Sequence, residues 1–156
     1  MKITDHLKRE NIFLDAILDN KPDVLKYISD VCAHNGIIND PEILYNGLIA
    51  REQTMSTGVG GGIGFPHTAN PEARHASVIL IRLAKPIEFD SLDHQPVGII
   101  LGLIFPESDP GIHVRMLAKV SRLCQNPDFL IAIKQAEDAD LLIEQIQLIE
   151  NKTRFH

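Results

Sequence analysis

Two stretches in the middle of the chain, SVILIRL at residues 77–83 and VGIILGLIF at residues 97–105, are almost unbroken runs of apolar residues. Both are rich in isoleucine and leucine. A strand with one face in water alternates apolar and polar residues, whereas a strand that is covered on both faces stays apolar throughout. The two runs therefore predict two buried strands with other elements packed on both of their faces.

The segments before these strands have the apolar spacing of helices. Residues 20–22 (Asn-Lys-Pro) begin the first predicted helix, and Gly36 lies just beyond its end. Asp40 and Pro41 begin the second, because aspartate accepts hydrogen bonds from the first free N–H groups of a helix and proline suits its first turn. This second helix runs on into Arg51.

After the second strand the helical spacing returns from Gly111 onward, with further helix starts at Asn126 and Asp138. Helices first, strands in the middle and helices last are typical of a sheet that is enclosed by helices. We therefore predict the α/β (α+β) class, with a central β-sheet flanked by helices on both faces in a single domain.

Length and composition limit the possible functions. The 156 residues are 44% hydrophobic and 23% charged, as in an ordinary folded domain. A net charge of −6 disfavours nucleic acid as a partner, no apolar run is long enough to span a membrane, and residues 1–6 do not resemble a signal peptide. Cys32 and Cys124 lie in apolar helical patterns, which predicts buried thiols in a reducing, cytoplasmic location rather than a disulfide.

The residues that carry chemistry are concentrated in STGVGGGIGFPH, residues 56–67, between the second helix and the first strand. Glycine has no Cβ, so this backbone can bring its N–H groups close to an anion. Pro66 restricts the chain just before His67 and gives that imidazole a defined direction. A nucleophilic imidazole beside a backbone that can hold phosphate predicts phosphoryl transfer through a phosphohistidine, at an exposed position on a convex loop.

A longer block around this loop, REQTMSTGVGGGIGFPH at residues 51–67, resembles the active-site signature of the enzyme IIA domains of the bacterial phosphotransferase system, mannitol/fructose and nitrogen-regulatory class. HVRMLAKVSRL at residues 113–123 is similar to that family's second histidine and the helix that it begins. The resemblance covers residues 3–147. It implies one domain of this family over residues 1–156, with a core over about residues 3–147 and a mixed sheet flanked by helices.

The resemblance also implies roles for individual residues. His67 matches the histidine that is phosphorylated, and its simpler alternative is a surface histidine in a proline turn. His113 would donate a hydrogen bond to the phosphoryl group or orient His67, unless it is only a surface residue at a helix start. Arg51 would hold phosphoryl oxygens, unless it only stabilises a helix end. Further residues would line the phosphate-binding pocket or serve only in a turn: Ser56, Thr57 and Gly58.

Three positions depart from the family's pattern. The family usually has alanine where this chain has Gly64 and an aliphatic residue where it has Phe65, which are small changes of size. Thr68 stands where glycine is usual. Two interpretations of Thr68 remain open: a positive φ with a strain of about 1–2 kcal/mol, or an ordinary conformation in which the hydroxyl binds the phosphate.

Two functions fit this sequence. As a phosphocarrier, the chain would take a phosphoryl group from an HPr-type protein onto His67 and pass it to a cysteine of an enzyme IIB domain. As a regulatory module of the nitrogen-regulatory type, its phosphorylation state would control a partner protein. A homologue that only binds partners is a third alternative, and we expect no fused IIB or IIC segment.

Other chemistries lack their motifs in this sequence. The histidines have no HxxxH or HExxH spacing and the cysteines form no CxxC pair, so we expect neither a metal nor a cofactor. A serine hydrolase is disfavoured because there is no GxSxG motif. The sequence makes no prediction of the oligomeric state or of sugar specificity.

Overall fold

Two long antiparallel strands form the centre of the sheet in a computed structural model that describes residues 1–153. In that part of the chain there are six strands and five α-helices. The strands are β1 (Ile12–Ala16), β2 (Gly58–Gly60), β3 (Ile63–Gly64), β4 (His67–Asn70), β5 (Ser77–Ile87) and β6 (Val97–Pro106). The helices are α1 (Lys21–His34), α2 (Pro41–Thr54), α3 (Pro110–Cys124), α4 (Pro127–Gln135) and α5 (Ala139–Thr153). Short 3₁₀ turns lie at Ile3–Asp5 and Arg9–Asn11.

The sheet is mixed, with the strand order β1-β5-β6-β3-β2. β5 runs antiparallel to β6, and β1 runs parallel to β5. β3 and β4 lie one after the other along β6, both parallel to it, and β2 pairs with β3 in the antiparallel sense. The predicted mixed sheet is thus confirmed, and β6 is the strand against which the glycine-rich segment folds.

Alternate residues of β5 and β6 belong to two hydrophobic cores, one on each face of the sheet. Leu80 and Leu103 pack with the buried residues of α3, α4 and α5 on the first face. Ile79 and Ile104 pack with α1 and α2 on the second face. Each fully buried side chain of this size contributes about 1.5–3 kcal/mol relative to exposure. This two-sided burial confirms the prediction of helices on both faces and explains the unbroken apolar runs.

Side-chain caps begin each helix near the residues that the sequence indicates. The carboxylate or amide oxygens of Asn20 and Asp40 accept hydrogen bonds from backbone N–H groups in the first turns of α1 and α2. Asn126 and Asp138 do the same for α4 and α5. α3 begins one residue earlier than predicted, since Asp109 caps it by accepting from the Ile112 N–H at 3.1 Å.

The short strands β1 to β4 were not predicted. β3 has two residues and β2 has three, so neither is long enough to show a periodicity of its own. β3 forms because its backbone pairs with β6, and β2 forms because its backbone pairs with β3. Pro86 and Ile87, which lie outside the predicted run at residues 77–83, are the end of β5 beyond a register shift. Within residues 1–153, no helix has the length and apolar character needed to cross a bilayer.

Both thiols are free, as expected for apolar packing residues. Cys32 is buried in α1 and Cys124 is half-buried at the end of α3. Burial raises the pKa of each thiol to about 12, so both stay protonated near neutral pH. A protonated thiol is a poor nucleophile and a poor metal ligand, which leaves the histidines as the candidates for chemistry.

Candidate functional site

His67 is the first residue of β4 and not part of a loop. It lies beside Leu103 of the parallel strand β6, whose N–H donates to the carbonyl of Pro66 at 3.0 Å. Only 5% of His67 is exposed. The expectation of an exposed histidine on a convex loop is therefore wrong, because pairing with β6 draws the Pro66-His67 peptide into the sheet.

One ring nitrogen of His67 has a defined partner. Nδ1 lies 2.9 Å from the carbonyl oxygen of Phe65. A carbonyl oxygen only accepts hydrogen bonds, so Nδ1 carries the proton and Nε2 of the neutral ring keeps its lone pair. The geometry thus selects the tautomer in which Nε2 has the free lone pair, a choice that the sequence left open.

The surroundings of His67 favour its neutral form. Burial lowers the pKa of His67, and the positive charge of Arg51 and the proximity of His113 lower it further. The hydrogen bond to the Phe65 carbonyl and the negative charge of Glu52 act in the opposite direction and raise it. The net pKa lies below the ordinary histidine value of 6.5, so the ring is neutral and nucleophilic near pH 7.

His113 lies in the first turn of α3 and faces His67. The centroids of the two imidazole rings are 5.8 Å apart, with 68° between their planes. Phe105, at the end of β6, stacks on His113 with a centroid distance of 4.3 Å and an angle of 18°. Burial, followed by the charge of Arg51, lowers the pKa of His113. Phe105 thus holds His113 beside His67, a contact that the sequence analysis missed.

Arg51 lies in the last turn of α2, close enough to both histidines for its charge to lower the pKa of each. Its Nη1 donates to the carbonyl of Met55 at 2.8 Å. That bond uses one of the five N–H donors of a guanidinium. The structure therefore brings together the three residues that the sequence nominated for chemistry, Arg51, His67 and His113.

The side chains of Ser56 and Thr57 are engaged within the protein. The Ser56 hydroxyl donates to the carbonyl of Phe89 at 2.8 Å and accepts from the Gly58 N–H at 3.0 Å. The Thr57 hydroxyl donates to the carboxylate of Glu52. These contacts hold the start of the glycine-rich segment in place; the sequence had left open whether these residues line a phosphate pocket or serve only in a turn.

Gly58 is needed for close packing. A Cβ at this position would lie 2.5 Å from the hydroxyl oxygen of Ser91, which is shorter than any van der Waals contact allows. Ser91 is 3% exposed and follows β5 in the chain. The absence of a side chain at Gly58 thus allows the segment after β5 to pack against β2.

Thr68 fits neither interpretation that its sequence position left open. Its φ is not among the positive values of the non-glycine residues 1–153, so it carries no left-handed strain. Its side chain packs against Gly47 of α2, and its hydroxyl donates to the Ala69 carbonyl at 3.1 Å. Since neighbouring residues of a strand point to opposite faces, the Thr68 hydroxyl lies on the far side of the sheet from His67.

Two charged residues near the site, Glu52 and Lys21, were not recognised from the sequence. Glu52 is 9% exposed and accepts from the Nζ of Lys21 at 3.0 Å. Lys21, in the first turn of α1, also lies 4.6 Å above the ring of Phe89. Glu52 could have been recognised from its position directly after Arg51 in the motif. Lys21 lies thirty positions before the motif, so the motif gives no signal for it. Over residues 1–153, no three His, Cys, Asp or Glu side chains are grouped as metal ligands would be.

The fold is shared with solved structures of enzyme IIA proteins. The nitrogen regulatory protein IIA-Ntr from Neisseria meningitidis superposes with a TM-score of 0.86 over 92% of this chain and 98% of its own, at 24% identity. The mannitol IIA of Escherichia coli, in its complex with phosphorylated mannitol IIB, superposes with a TM-score of 0.74 over 90% of this chain and 98% of its own, at 15% identity. The architecture is therefore of the enzyme IIA class.

The chain belongs to the family described as "Phosphoenolpyruvate-dependent sugar phosphotransferase system, EIIA 2", which it matches over residues 5–149. This confirms the resemblance seen in its sequence. Proteins of this family are phosphotransfer components, and the chain is an EIIA-type domain.

Two relatives illustrate the contexts in which such domains occur. The "Multiphosphoryl transfer protein" of Escherichia coli O157:H7 is 30% identical over 149 residues, which are 96% of this chain but 17% of that protein. The "Nitrogen regulatory protein" of Bradyrhizobium diazoefficiens is 28% identical over 148 residues, which are 95% of this chain and 96% of that protein. The chain thus spans about a sixth of the first relative and nearly the whole of the second.

Proposed function

We propose that this protein accepts a phosphoryl group on Nε2 of His67 from an HPr-type phosphocarrier and passes it to a cysteine of an enzyme IIB domain. The observation that carries the proposal is the hydrogen bond from His67 Nδ1 to the Phe65 carbonyl. It leaves a neutral Nε2 with a lone pair, next to a second histidine and an arginine. That is the set of groups that a phosphohistidine relay needs.

In this proposal the phosphoryl group passes from the donor's imidazole to that of His67. The lone pair of Nε2 attacks the phosphorus, the N–P bond of the donor's phosphohistidine breaks, and its electron pair returns to the donor's imidazole. His67 keeps the proton on Nδ1, where the Phe65 carbonyl stabilises the positive charge that the ring gains. In the next step a cysteine thiolate attacks the phosphorus, an S–P bond forms, and the electron pair of the N–P bond returns to Nε2.

Arg51 and His113 stabilise the phosphoryl group in this proposal. The guanidinium offsets the charge on the equatorial oxygens as the group moves between the two nitrogens. His113 donates a hydrogen bond to one of these oxygens from the first turn of α3, where backbone N–H groups also favour an anion. A phosphoryl dianion on His67 then raises the pKa of His113, against the effects of burial and Arg51.

The onward acceptor is supported by a solved complex. The mannitol IIA of Escherichia coli, which shares this fold, is seen together with phosphorylated mannitol IIB. We extend that pairing to this chain because the two proteins share a fold. The HPr-type donor follows from the family's place in a phosphoenolpyruvate-dependent system.

A regulatory role is the second candidate. The observation that favours it is the near full-length match to a nitrogen regulatory protein, with 96% of that relative covered. In this role His67 is phosphorylated in the same way, but a partner protein binds one of the two states instead of receiving the phosphoryl group. The two roles therefore differ in the second step only.

The test is phosphorylation in a purified system. Incubation with phosphoenolpyruvate, enzyme I and HPr is expected to add one phosphoryl group by intact mass, stable in base and labile in acid. His67→Ala is expected to remain unlabelled, while His94→Ala, in a surface turn, keeps the label and serves as the matched control. Adding a IIB domain then separates the roles: a carrier loses its label to the IIB cysteine, whereas a regulatory module retains it.

A further inference from the structure

We propose that Glu52 is a positioning residue for His67: with Lys21 it holds the Phe65 carbonyl that keeps Nδ1 protonated and Nε2 free. The proposal rests on the proposed role of His67 as the phosphorylated residue. It assigns a function to a buried ion pair that touches neither the imidazole nor the phosphoryl group.

Glu52 is surrounded by hydrogen-bond donors from Thr57 and Lys21. Its carboxylate accepts hydrogen bonds from both the N–H and the hydroxyl of Thr57, the former at 3.1 Å. It also accepts from the Nζ of Lys21 at 3.0 Å. Only 5% of the Glu52 side chain is exposed, so water does not compete for these bonds. Thr57 is thereby held at two points by one carboxylate.

Hydrogen bonds lead on from Thr57 to the imidazole. The carbonyl of Thr57 accepts from the N–H of Phe65 at 3.1 Å. The carbonyl of Phe65 in turn accepts from Nδ1 of His67 at 2.9 Å. The Phe65 residue is thus fixed on its amide side by Thr57 and offers its carbonyl to the ring. Its position depends on Glu52 through a single intervening residue.

Lys21 offsets the free-energy cost of burying the Glu52 carboxylate, and it connects the site to α1. Its side chain is 13% exposed, and its Nζ lies 3.5 Å from Asp90 and 3.4 Å from the Ser56 hydroxyl. The ammonium also lies over the ring of Phe89. A carboxylate that is taken out of water needs such a partner, and removing either member leaves the other uncompensated.

The neighbouring position of Arg51 strengthens the inference. Arg51 and Glu52 are adjacent in the last turn of α2, and their side chains leave the helix in different directions. The bonds of Glu52 therefore orient the turn that carries the guanidinium toward the histidines. The Glu52–Lys21 ion pair thus sets the tautomer of His67 and also positions the guanidinium of Arg51 beside it.

The chain contains a matched control. Glu150 is 1% exposed, accepts hydrogen bonds from two backbone N–H groups and from the hydroxyl of Thr4, and forms an ion pair with Lys119 at 3.6 Å. Its partners are of the same chemical kinds as those of Glu52. They belong to the N-terminal segment and to α3, and not to residues 57–67. A purely structural role for Glu52 predicts that Glu52→Gln and Glu150→Gln behave alike.

The experiment measures the His67 tautomer by two-bond ¹H–¹⁵N correlation of the imidazole ring at about pH 8, above the ordinary histidine pKa. The wild-type protein is expected to show the Nδ1–H form, and Glu150→Gln the same form. Glu52→Gln is expected to shift the ring toward the Nε2–H form. Its kcat for phosphorylation by phospho-HPr should fall by about tenfold, as for other partners that orient a histidine through its second nitrogen, with KM unchanged.

A second pair of variants keeps the test valid if Glu52→Gln does not fold. Thr57→Val removes the hydroxyl and leaves the Glu52–Lys21 ion pair, and it should shift the tautomer in the same direction. Thr57→Ser restores the hydroxyl and should restore the wild-type ring signal. Wild-type tautomer and kcat in the folded Glu52→Gln and Thr57→Val proteins would overturn the proposal. If phospho-HPr does not label even the wild-type protein, but Glu52→Gln still shifts the tautomer, the positioning role is supported and the proposed function is refuted.

Discussion

The Nδ1 atom of His67 lies 2.9 Å from the carbonyl oxygen of Phe65, a residue only two positions earlier in the chain. This contact exists because Pro66 turns the chain between them while β3 and β4 continue along the same neighbour, β6. It decides which ring nitrogen carries the proton and which keeps a lone pair. The tautomer of His67 is therefore set by the backbone path through residues 64–67.

Replacing the second histidine tests its role at the phosphoryl group. His113→Ala should fold, because His113 is only half-buried and lies at a helix start. Its rate of phosphorylation should fall by a factor of about 10²–10³, as expected when one donor to developing charge is lost. Rapid-quench measurement of the rate with phospho-HPr checks this. An unchanged rate would show that His113 only packs against Phe105.

The lowered pKa of His67 gives a signed prediction for pH. The folded state holds the ring neutral below the unfolded pKa of about 6.5, so the unfolded state binds more protons there. The contribution of His67 to stability is complete above that pH and declines as the pH falls through 6.5 toward the lower folded-state value. Urea unfolding at a series of pH values should show this decline.

The matched variant for the pH series is His67→Gln, which lacks the titrating ring and should show a shallower decline in stability between pH 7 and pH 5. His94→Gln, in an exposed turn, should keep the wild-type slope. Identical slopes for the wild type and His67→Gln would mean that the folded protein does not lower this pKa. The phosphorylation rate should follow the same lowered pKa, because the protonated ring has no lone pair on Nε2.

Thr68→Gly tests one of the three positions at which the sequence departs from the expected family pattern. Thr68 has an ordinary φ and fills the space beside Gly47 of α2, so glycine removes packing and adds backbone freedom to β4. The free energy of unfolding should fall by about 1–2 kcal/mol. Phosphorylation of His67 should continue at the wild-type rate, because the Thr68 hydroxyl lies on the other face of the sheet. A higher stability, or slower transfer, would contradict this placement.

The surface around the glycine-rich segment should form the docking face for the phosphoryl donor. Val59 on β2 is 43% exposed and Leu92 is 59% exposed, and the Leu92 N–H donates to the carbonyl of Gly58 next to Val59. Val59→Glu adds a negative charge where the phosphorylated donor, itself negative, must approach. The donor concentration that half-saturates the rate should rise several-fold.

Leu148→Glu is the control for docking, because Leu148 is similarly exposed but lies on α5. It should leave both the half-saturating concentration and the maximal rate as in the wild type. Val59 is preferable to Phe65 for this purpose, since Phe65 is partly buried against the core and a charge there would also lower stability. Equal half-saturation for Val59→Glu and the wild type would place the donor elsewhere.

Much of the architecture could be predicted from local signals. The starts of α1 and α2 followed from Asn20 and Asp40, since a capping side chain acts within three residues of its own position. β5 and β6 followed from their apolar runs, which two-sided burial requires. The short strands β2 and β3 could not be predicted, because their hydrogen-bonding partners are distant in sequence.

The amino-acid sequence alone determined the family, the order of the helices and of the two long strands, and the three residues nominated for chemistry, because those signals are residue types at fixed spacings. Only the tertiary structure decided the burial of His67, its Nδ1–H tautomer, and the contact between Lys21 and Glu52. It also decided that the Thr68 side chain lies on the other face of the sheet from His67. Each of these depends on which strand lies beside β4 and which helix covers each face of the sheet. Pairing and packing join residues that are far apart in the chain, and they set the local environment from which a side chain takes its charge, orientation and reactivity.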